Sequence, residues 1–451
     1  MIPASKMFDK KPVELLFTQD FTPEELKTRR RHIAGEIGEG AHLLIAGAAP
    51  VPHDALVQDA NFYYFCGLDV PQSYLLIEGG TGRTTVFLPS RTLMDGFPED
   101  CLGFEDAALI AERLQLDAAL PVSELTAALS GTTCLFTPFG ETEGGGATLF
   151  GANGCARKCA DDEWDQAEPR HKRRLRLLNE RFPKLALEDA LPLIRKMRTL
   201  KSPAEIEVLR QAGSLSAAIM IESMKATRPG INENHLQAIA EYVFRDRGRC
   251  GLGYGVIAAG GKRTWNGHYH YNNMTLKEDE IVLMDCGPDF RHYSSDIARM
   301  WPVNGRFSDW HRQVYGMIVT YHKTLLSLIR PGITAREVYD QSAARMIALC
   351  EDPASGLTEM RPLIDQMIER GVGYLNHGVG LSVHDAIDPA WKNEPLREGF
   401  VCALDPMIWC EPQHEYIRVE DTIVVTADGC ERLTGAAPFE MDEIEKIVGT
   451  G

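Results

Sequence analysis

No apolar run in the chain approaches the roughly 18 residues that a membrane-spanning helix needs. The opening residues, MIPASKMFDKKPVE, contain no apolar stretch of the kind a secretory leader carries. Positive charge is also scarce: 47 Lys and Arg stand against 64 Asp and Glu, for a net −17. Proteins that grip phosphate backbones present the opposite excess, so no nucleic-acid partner is expected. The one basic run, Arg170 to Arg176 (RHKRRLR), reads as a solvated helix face. The 11 cysteines are an odd number with no disulfide-scaffold spacing, which fits a reducing, cytoplasmic compartment. Cys155-Ala-Arg-Lys-Cys159 has no second Cys/His pair beside it to complete a metal site, and Cys286 reads as a core thiol. Gly144-Gly145-Gly146 lacks the Lys-Ser/Thr of a phosphate loop.

What the chain does have is enough apolar residue, 44% of 451, to build two ordinary cores. Thr22-Pro23-Glu24-Glu25 opens a helix. Strands are expected at Leu43 to Ile45, Tyr74 to Ile77, Thr85 to Leu88 and Cys134 to Thr137. Helical stretches near Asp106 to Leu114 and Val122 to Leu129 alternate with them, the pattern of an α/β domain. Asn61-Phe62-Tyr63-Tyr64-Phe65 reads as a buried strand, Gly140 to His171 as a loop or insertion, and Leu185 to Met197 as a long linking helix. Ser202-Pro203-Ala204-Glu205 is a capping box that begins a second domain, with the boundary near residue 198.

The second domain is organised around EIVLMDCGPDFRHYSSDI, Glu280 to Ile297. Ile281 to Met284 form a buried-strand pattern that ends on Asp285, and a second strand delivers Asp296 11 residues later. The grammar recurs: Phe400 to Leu404 ends on Asp405, and Tyr416 to Val425 delivers Glu420, 15 residues on. A lone Asp at a strand end is ordinarily a turn or cap residue; four acids at mirrored positions are hard to explain that way. Clustered carboxylates repel unless cations or protons lie between them. Between the hairpins, His377-Gly-Val-Gly-Leu-Ser-Val-His384-Asp385 supplies imidazoles. Oxygen donors with one or two histidines suit a pair of divalent ions such as Mn²⁺, Co²⁺ or Zn²⁺. Arg228-Pro229-Gly230 and Arg330-Pro331-Gly332, 102 residues apart, each sit between two helical patterns, which suggests a duplicated half with the site at the junction.

Asp285 and Asp296 at this spacing, His268-Tyr269 upstream, the HxxGLxVHD form of His377 to Asp385, and Arg418-Val419-Glu420-Asp421 together resemble the pita-bread metallopeptidases of the aminopeptidase P and prolidase group. Asn61 to Leu68 resembles the creatinase-like domain that precedes the catalytic domain there. The resemblance implies an α/β (α+β) protein, with a creatinase-like domain over 1–198 and an internally duplicated pita-bread domain over 199–451. It implies a metallo-exopeptidase that cleaves between an N-terminal residue and a following proline, with an Xaa-Pro dipeptidase as the alternative. A non-peptidase pita-bread enzyme or a metal-impaired binding protein is a further alternative. The implied cofactor is two divalent ions, Mn²⁺ first, with Zn²⁺, Co²⁺ and Fe²⁺ open. Residue by residue, Asp285, Asp296, His377, Asp405 and Glu420 would be the ligands. His268, His384, Asp405 and Arg418 would serve the reaction, and the assembly would be a homodimer or larger homo-oligomer. Three positions depart from the family pattern: Asp405 stands for its Glu, Trp409 for a Tyr, and Gly373 for a His. A gapped alignment would make His377 that earlier His and remove a ligand; the ungapped one preserves GLxVHD.

Overall fold

A computed structural model describes residues 12–49, 57–91, 101–140, 149–248, 250–369, 374–385 and 387–451. Gly373 and Gly144 to Gly146 lie outside them. The chain forms two compact units, residues 1–198 and 199–451.

The first unit is built on a mixed six-stranded sheet in the order Ala118–Pro121, Thr84–Leu88, Tyr74–Glu78, Ala41–Ala46, Cys134–Thr137, Ala186–Asp189. The four expected strands are present. Three expectations are corrected. Asn61 to Phe65 is helical, within Ala60–Cys66: the Asp59 side chain accepts from Phe62 N, and Gly67 at φ 64° closes the last turn, so caps override the β preference of the aromatics. All of its aromatic side chains are buried. The segment read as one linking helix is a strand, Ala186–Asp189, followed by a helix, Leu191–Thr199. Pairing with Cys134–Thr137 in parallel register outweighs the helix-forming composition of that strand. Within Gly140 to His171 the chain forms the helix Leu149–Asp161 and begins another, Arg170–Arg181.

The second unit carries a seven-stranded sheet ordered Leu375–Gly378, Val401–Leu404, Glu420–Val425, Ile297–Pro302, Ile281–Asp285, Ile257–Gly260, with Cys430–Arg432 added on Glu420–Val425. The duplication is plain in its helices. The Ser202 capping box opens Pro203–Ala226, which leads through Arg228-Pro229-Gly230 to the Asn232 cap of Glu233–Val243. Asp309–Leu326 leads through Arg330-Pro331-Gly332 to the Thr334 cap of Ala335–Glu351. Gly230 and Gly332 take φ 91° and 86°, the left-handed region that lets the chain turn after proline. Their N–H groups donate to Leu276 and Leu396 carbonyls respectively, both at 2.9 Å. The halves join where Ile297 and Ala298 pair antiparallel with Asp421 and Glu420. Among the described residues no helix is long and apolar enough to cross a membrane.

The register fixes which side chains meet. Asp285 lies opposite Ala298, and Ala298 opposite Glu420, so all three share one face of the sheet. Leu404 pairs with Asp421, which sets Asp405 abreast of Glu420. Asp296, two residues before Ala298, falls on the same face. The next residue of each strand faces the other way, where Arg299 donates to Asp421 Oδ1 at 2.7 Å and Thr434 Oγ1 donates to the same oxygen at 2.6 Å. His322 Nε2 lies 3.1 Å from Asp421 Oδ2.

Burial pushes the Asp421 carboxyl up, but Arg299 and His322 outweigh it and hold it below the usual carboxylate range. Burial, helped by the charges of Arg299 and Arg432, depresses His322 despite Asp421. Both shifts run downward, so this network stabilises the fold fully above about pH 6.5 and loses that contribution as pH falls, first through His322 and then through Asp421. Asp421→Asn should destabilise the protein by about 3–5 kcal/mol, because it leaves Arg299 buried without its counter-charge. Urea unfolding at pH 7.5, pH 5 and pH 3 measures both effects: the loss between pH 7.5 and pH 5 reports His322, and the variant should lack the further loss below about pH 4 that Asp421 contributes.

Candidate metal centre

Four strands deliver the acids, two by running into one at their end and two by starting from one. Ile281–Asp285 is buried along its whole length and terminates on its carboxylate. Asp296 immediately precedes the strand Ile297–Pro302, and its backbone is held by Thr422: the amide donates to Oγ1 at 2.7 Å, and Oγ1 donates to the carbonyl at 2.9 Å. Glu420 opens Glu420–Val425, and Asp405 follows Val401–Leu404. Asp285 and Asp296 are each 4% exposed, Asp405 and Glu420 0%, so four acids sit together almost wholly withdrawn from bulk water.

Arg418 is the cation among them. Its Nη1 donates to Asp285 Oδ2 at 2.8 Å, Nε to Asp405 Oδ1 at 2.9 Å, and Nη2 contacts Asp405 Oδ2 at 2.7 Å and Glu420 Oε2. One guanidinium therefore fixes three carboxylates, using the planar fork that lysine lacks. Tyr254, which is nearly buried, donates its hydroxyl between Asp285 Oδ1 at 2.7 Å and Asp296 Oδ1 at 2.6 Å. His377 Nε2 lies 3.4 Å from Asp296 Oδ2, and its Nδ1 faces Gly378 O at 3.1 Å. With the proton on Nδ1, a neutral His377 would present Nε2 to a cation. The His384 ring lies over that of His377, with centroids 3.8 Å apart.

The electrostatics follow from burial. It raises Asp285 to about 7 against the pull of Arg418. It raises Asp405 and drives Glu420 well above the carboxylate range, Arg418 again opposing. Burial acts in the same direction on Asp296, but His377, Arg418 and Tyr254 more than offset it and hold that group at about 2. His377 moves up because the Asp296 hydrogen bond and charge outweigh burial. His384 falls to about 4, chiefly through burial and then through His377, and His268 is lowered by burial. One cationic Arg and one His do not neutralise four buried carboxylates, so the chain alone favours protons there.

The donor set fits divalent ions. Asp285, Asp296 and Glu420 bring ligand atoms within 4.8 Å of one another, as do Asp296, His377 and His384, so Asp296 is common to both groups. Glu420 Oε1 is buried without a hydrogen-bond partner among the described residues, although its other oxygen is held by Arg418. The sequence-derived residues are thus brought together, with three differences. Asp405 belongs to neither group; its oxygens are engaged by Arg418, and Asn376 Nδ2 donates to Oδ2 at 3.3 Å. His268 keeps solvent exposure and is only partly desolvated, its ring parallel to His270 at 6.5 Å and outside the hydrogen-bonded cluster. His384 joins a ligand group although the sequence pattern made it a non-ligand. Tyr254 was not legible: it stands alone between Gly253 and Gly255, with no spacing to tie it to the acids. Cys286 is buried and Cys155 and Cys159 are exposed; none of the three joins a ligand group among the described residues.

Residues 207–427 match the metallopeptidase family M24. This span therefore carries an M24 metallopeptidase domain, a family that implies bound divalent ions. The chain is 27% identical to an Escherichia coli Xaa-Pro aminopeptidase over 95% of this chain and 98% of that one. It is 28% identical to human Xaa-Pro aminopeptidase 3 over 86% and 76% of the two chains. Among solved structures, zinc-substituted E. coli aminopeptidase P in complex with product is similar at a TM-score of 0.75 and 26% identity, covering 95% of this chain and 98% of that one. Proline aminopeptidase P II from Yersinia pestis is similar at a TM-score of 0.74 and 26% identity, covering 95% and 99%. The likeness extends through both units and identifies the second as the pita-bread fold.

Because Asp285 titrates near 7 and a cation requires its ionised form, Mn²⁺ affinity should rise with pH through that value. Tyr254→Phe removes the hydroxyl shared by Asp285 and Asp296, and should weaken Mn²⁺ binding about tenfold at pH 7.5 without unfolding the protein. Isothermal titration of the metal-free protein against Mn²⁺ at pH 6, 7 and 8 measures both.

Proposed function

We propose that the protein is a metal-dependent Xaa-Pro aminopeptidase, a hydrolase that releases the N-terminal residue from peptides with proline in second position. The observation that carries this reading is the buried acid cluster, with His377, at the seam of an M24 domain. Likeness to Xaa-Pro aminopeptidases over nearly the whole chain supports the proline specificity. Fold alone would not license the activity; the ligand constellation does.

In this reading Asp285, Asp296, His377, Asp405 and Glu420 would hold two divalent ions. The ions supply Lewis acidity, activating water at neutral pH and polarising the scissile carbonyl. The chain's own residues do the rest. Arg418 locks the carboxylates in position and keeps them from separating. His384, depressed to about 4, is neutral at pH 7 and suited to donate an N–H to the developing oxyanion, and His268, also lowered, can act in the same way. Asp405, raised by burial, is suited to carry the proton from the attacking water toward the leaving amine. Manganese as the ion, residues 1–198 as a creatinase-like domain, a cytoplasmic site of action and a homo-oligomeric assembly complete the proposal.

One observation favours a second reading: Asp405, a methylene shorter than the glutamate it replaces, turns onto Arg418 and lies outside both ligand groups. A protein with one impaired metal position, serving other chemistry or binding, would follow. Assay with added Mn²⁺ on Xaa-Pro dipeptides and on longer Xaa-Pro peptides separates the readings. Faster cleavage of the longer peptides is expected; dipeptide-only cleavage would make it a dipeptidase, and no cleavage would favour the second reading. Asp296→Ala should abolish turnover, a loss of at least about 10³-fold, since it removes the carboxylate common to both groups. Asp405→Glu should hold or raise kcat; a large loss would mean that the pocket is fitted to Asp.

A further inference from the structure

The segment that supplies His377 and His384 is tied down by a charge it does not itself contain. Lys201 comes from the stretch that precedes the Ser202 cap, and its Nζ lies 3.0 Å from Oδ2 of Asp385, the residue after His384. Both side chains are 1% exposed, so this is a fully buried ion pair. Lys201 is anchored in turn: its amide donates to Gly399 O at 2.9 Å, and Leu200 forms a bridge with Phe400, next to the strand that ends at Asp405. Asp385 N donates to Gly378 O at 2.9 Å, closing the loop between the two histidines.

The pair also explains a glycine of the motif. A Cβ on Gly380 would come within 2.4 Å of Asp385 Oδ2 and 3.0 Å of Lys201 Cε, so any larger residue there would displace the pair. The Gly380 carbonyl accepts from Ser294 N at 2.8 Å, two residues before Asp296. The loop is therefore held on one side by the segment leading into Asp296 and on another by Lys201. The contacting, mutually tilted rings of His377 and His384 ride on a loop tied down by an ion pair.

We propose that Lys201 and Asp385 are positioning residues: their buried ion pair sets the loop that carries His377 to the ions and His384 to the reacting carbonyl. The proposal rests on the peptidase reading for its kinetic arm only; its metal-binding arm does not. Partners that orient ligands from behind ordinarily change affinity or activity by about 10- to 100-fold when lost. A pair serving stability alone behaves differently, since replacing a buried ion pair by apolar side chains is often neutral or stabilising.

Two variants separate these roles. Asp385→Asn keeps the shape and removes the charge; the double variant Lys201→Met/Asp385→Leu removes the pair without leaving a buried charge. Each is measured for thermal midpoint, for Mn²⁺ affinity by titration calorimetry, and for kcat and KM on an Xaa-Pro peptide at saturating Mn²⁺. The double variant should keep its thermal midpoint, bind Mn²⁺ about tenfold more weakly, and lose at least about tenfold in kcat with little change in KM. Asp385→Asn should show the same two losses. A folded double variant with parental Mn²⁺ affinity and kcat would overturn the proposal, and so would failure of both variants to fold, which would make the pair a folding element. If the parent cleaves no Xaa-Pro peptide, the function reading fails, and the Mn²⁺ titration alone decides the positioning role.

Discussion

Four carboxylates buried around one guanidinium form the constraint on which the catalytic unit depends. Arg418 touches Asp285, Asp405 and Glu420, and each contact is desolvated. Such an arrangement is costly for a protein to maintain with its own charges, because burial favours the protonated acids and one arginine cannot balance four. The upward displacement of Asp285, Asp405 and Glu420 expresses that imbalance. Divalent cations relieve it, and a site that needs them in this way is a metal centre by electrostatics before any comparison is made.

The strand register explains how the sequence reaches this state. Asp285, Ala298 and Glu420 lie in one row across three strands, with a small residue in the middle, so the acids converge without a bulky side chain between them. The reverse face of the same row holds Arg299 and Asp421, with His322 and Thr434 against them. One face concentrates charge for function and the other neutralises charge for stability. Lys201 and Asp385 add a third buried charge pair, at the histidine loop. Charge inside this domain is thus arranged as discrete sets, each fixed by backbone pairing.

Much of this was legible in the sequence, for a physical reason. An apolar run ending on an acid announces a strand that delivers a carboxylate, and the repeat of that pattern, with Arg-Pro-Gly turns between helices, announces a duplicated half. What local pattern could not show was decided by caps or by partners distant in the chain. Asn61 to Phe65 looks like a strand by composition and is a helix because Asp59 and Gly67 bracket it. Ala186–Asp189 looks helical and is a strand because Cys134–Thr137 lies beside it. Tyr254 and Lys201 reach their partners, Asp285 and Asp385, only through the tertiary fold, 31 and 184 residues along the chain. Asp405 shows the limit of matching by position: it falls abreast of Glu420 as its place in the motif requires, but its shorter side chain turns onto Arg418.

The most direct test of this account is the number of divalent ions the purified protein keeps. Elemental mass spectrometry after Mn²⁺ loading and desalting, on the parent and on Asp296→Ala, reads it. About two ions per chain in the parent and none in the variant is the predicted result, since Asp296 is common to both ligand groups. A parent that retains no ion, with the cluster intact and the protein folded, would contradict it: the acids would then be held by protons and Arg418 alone.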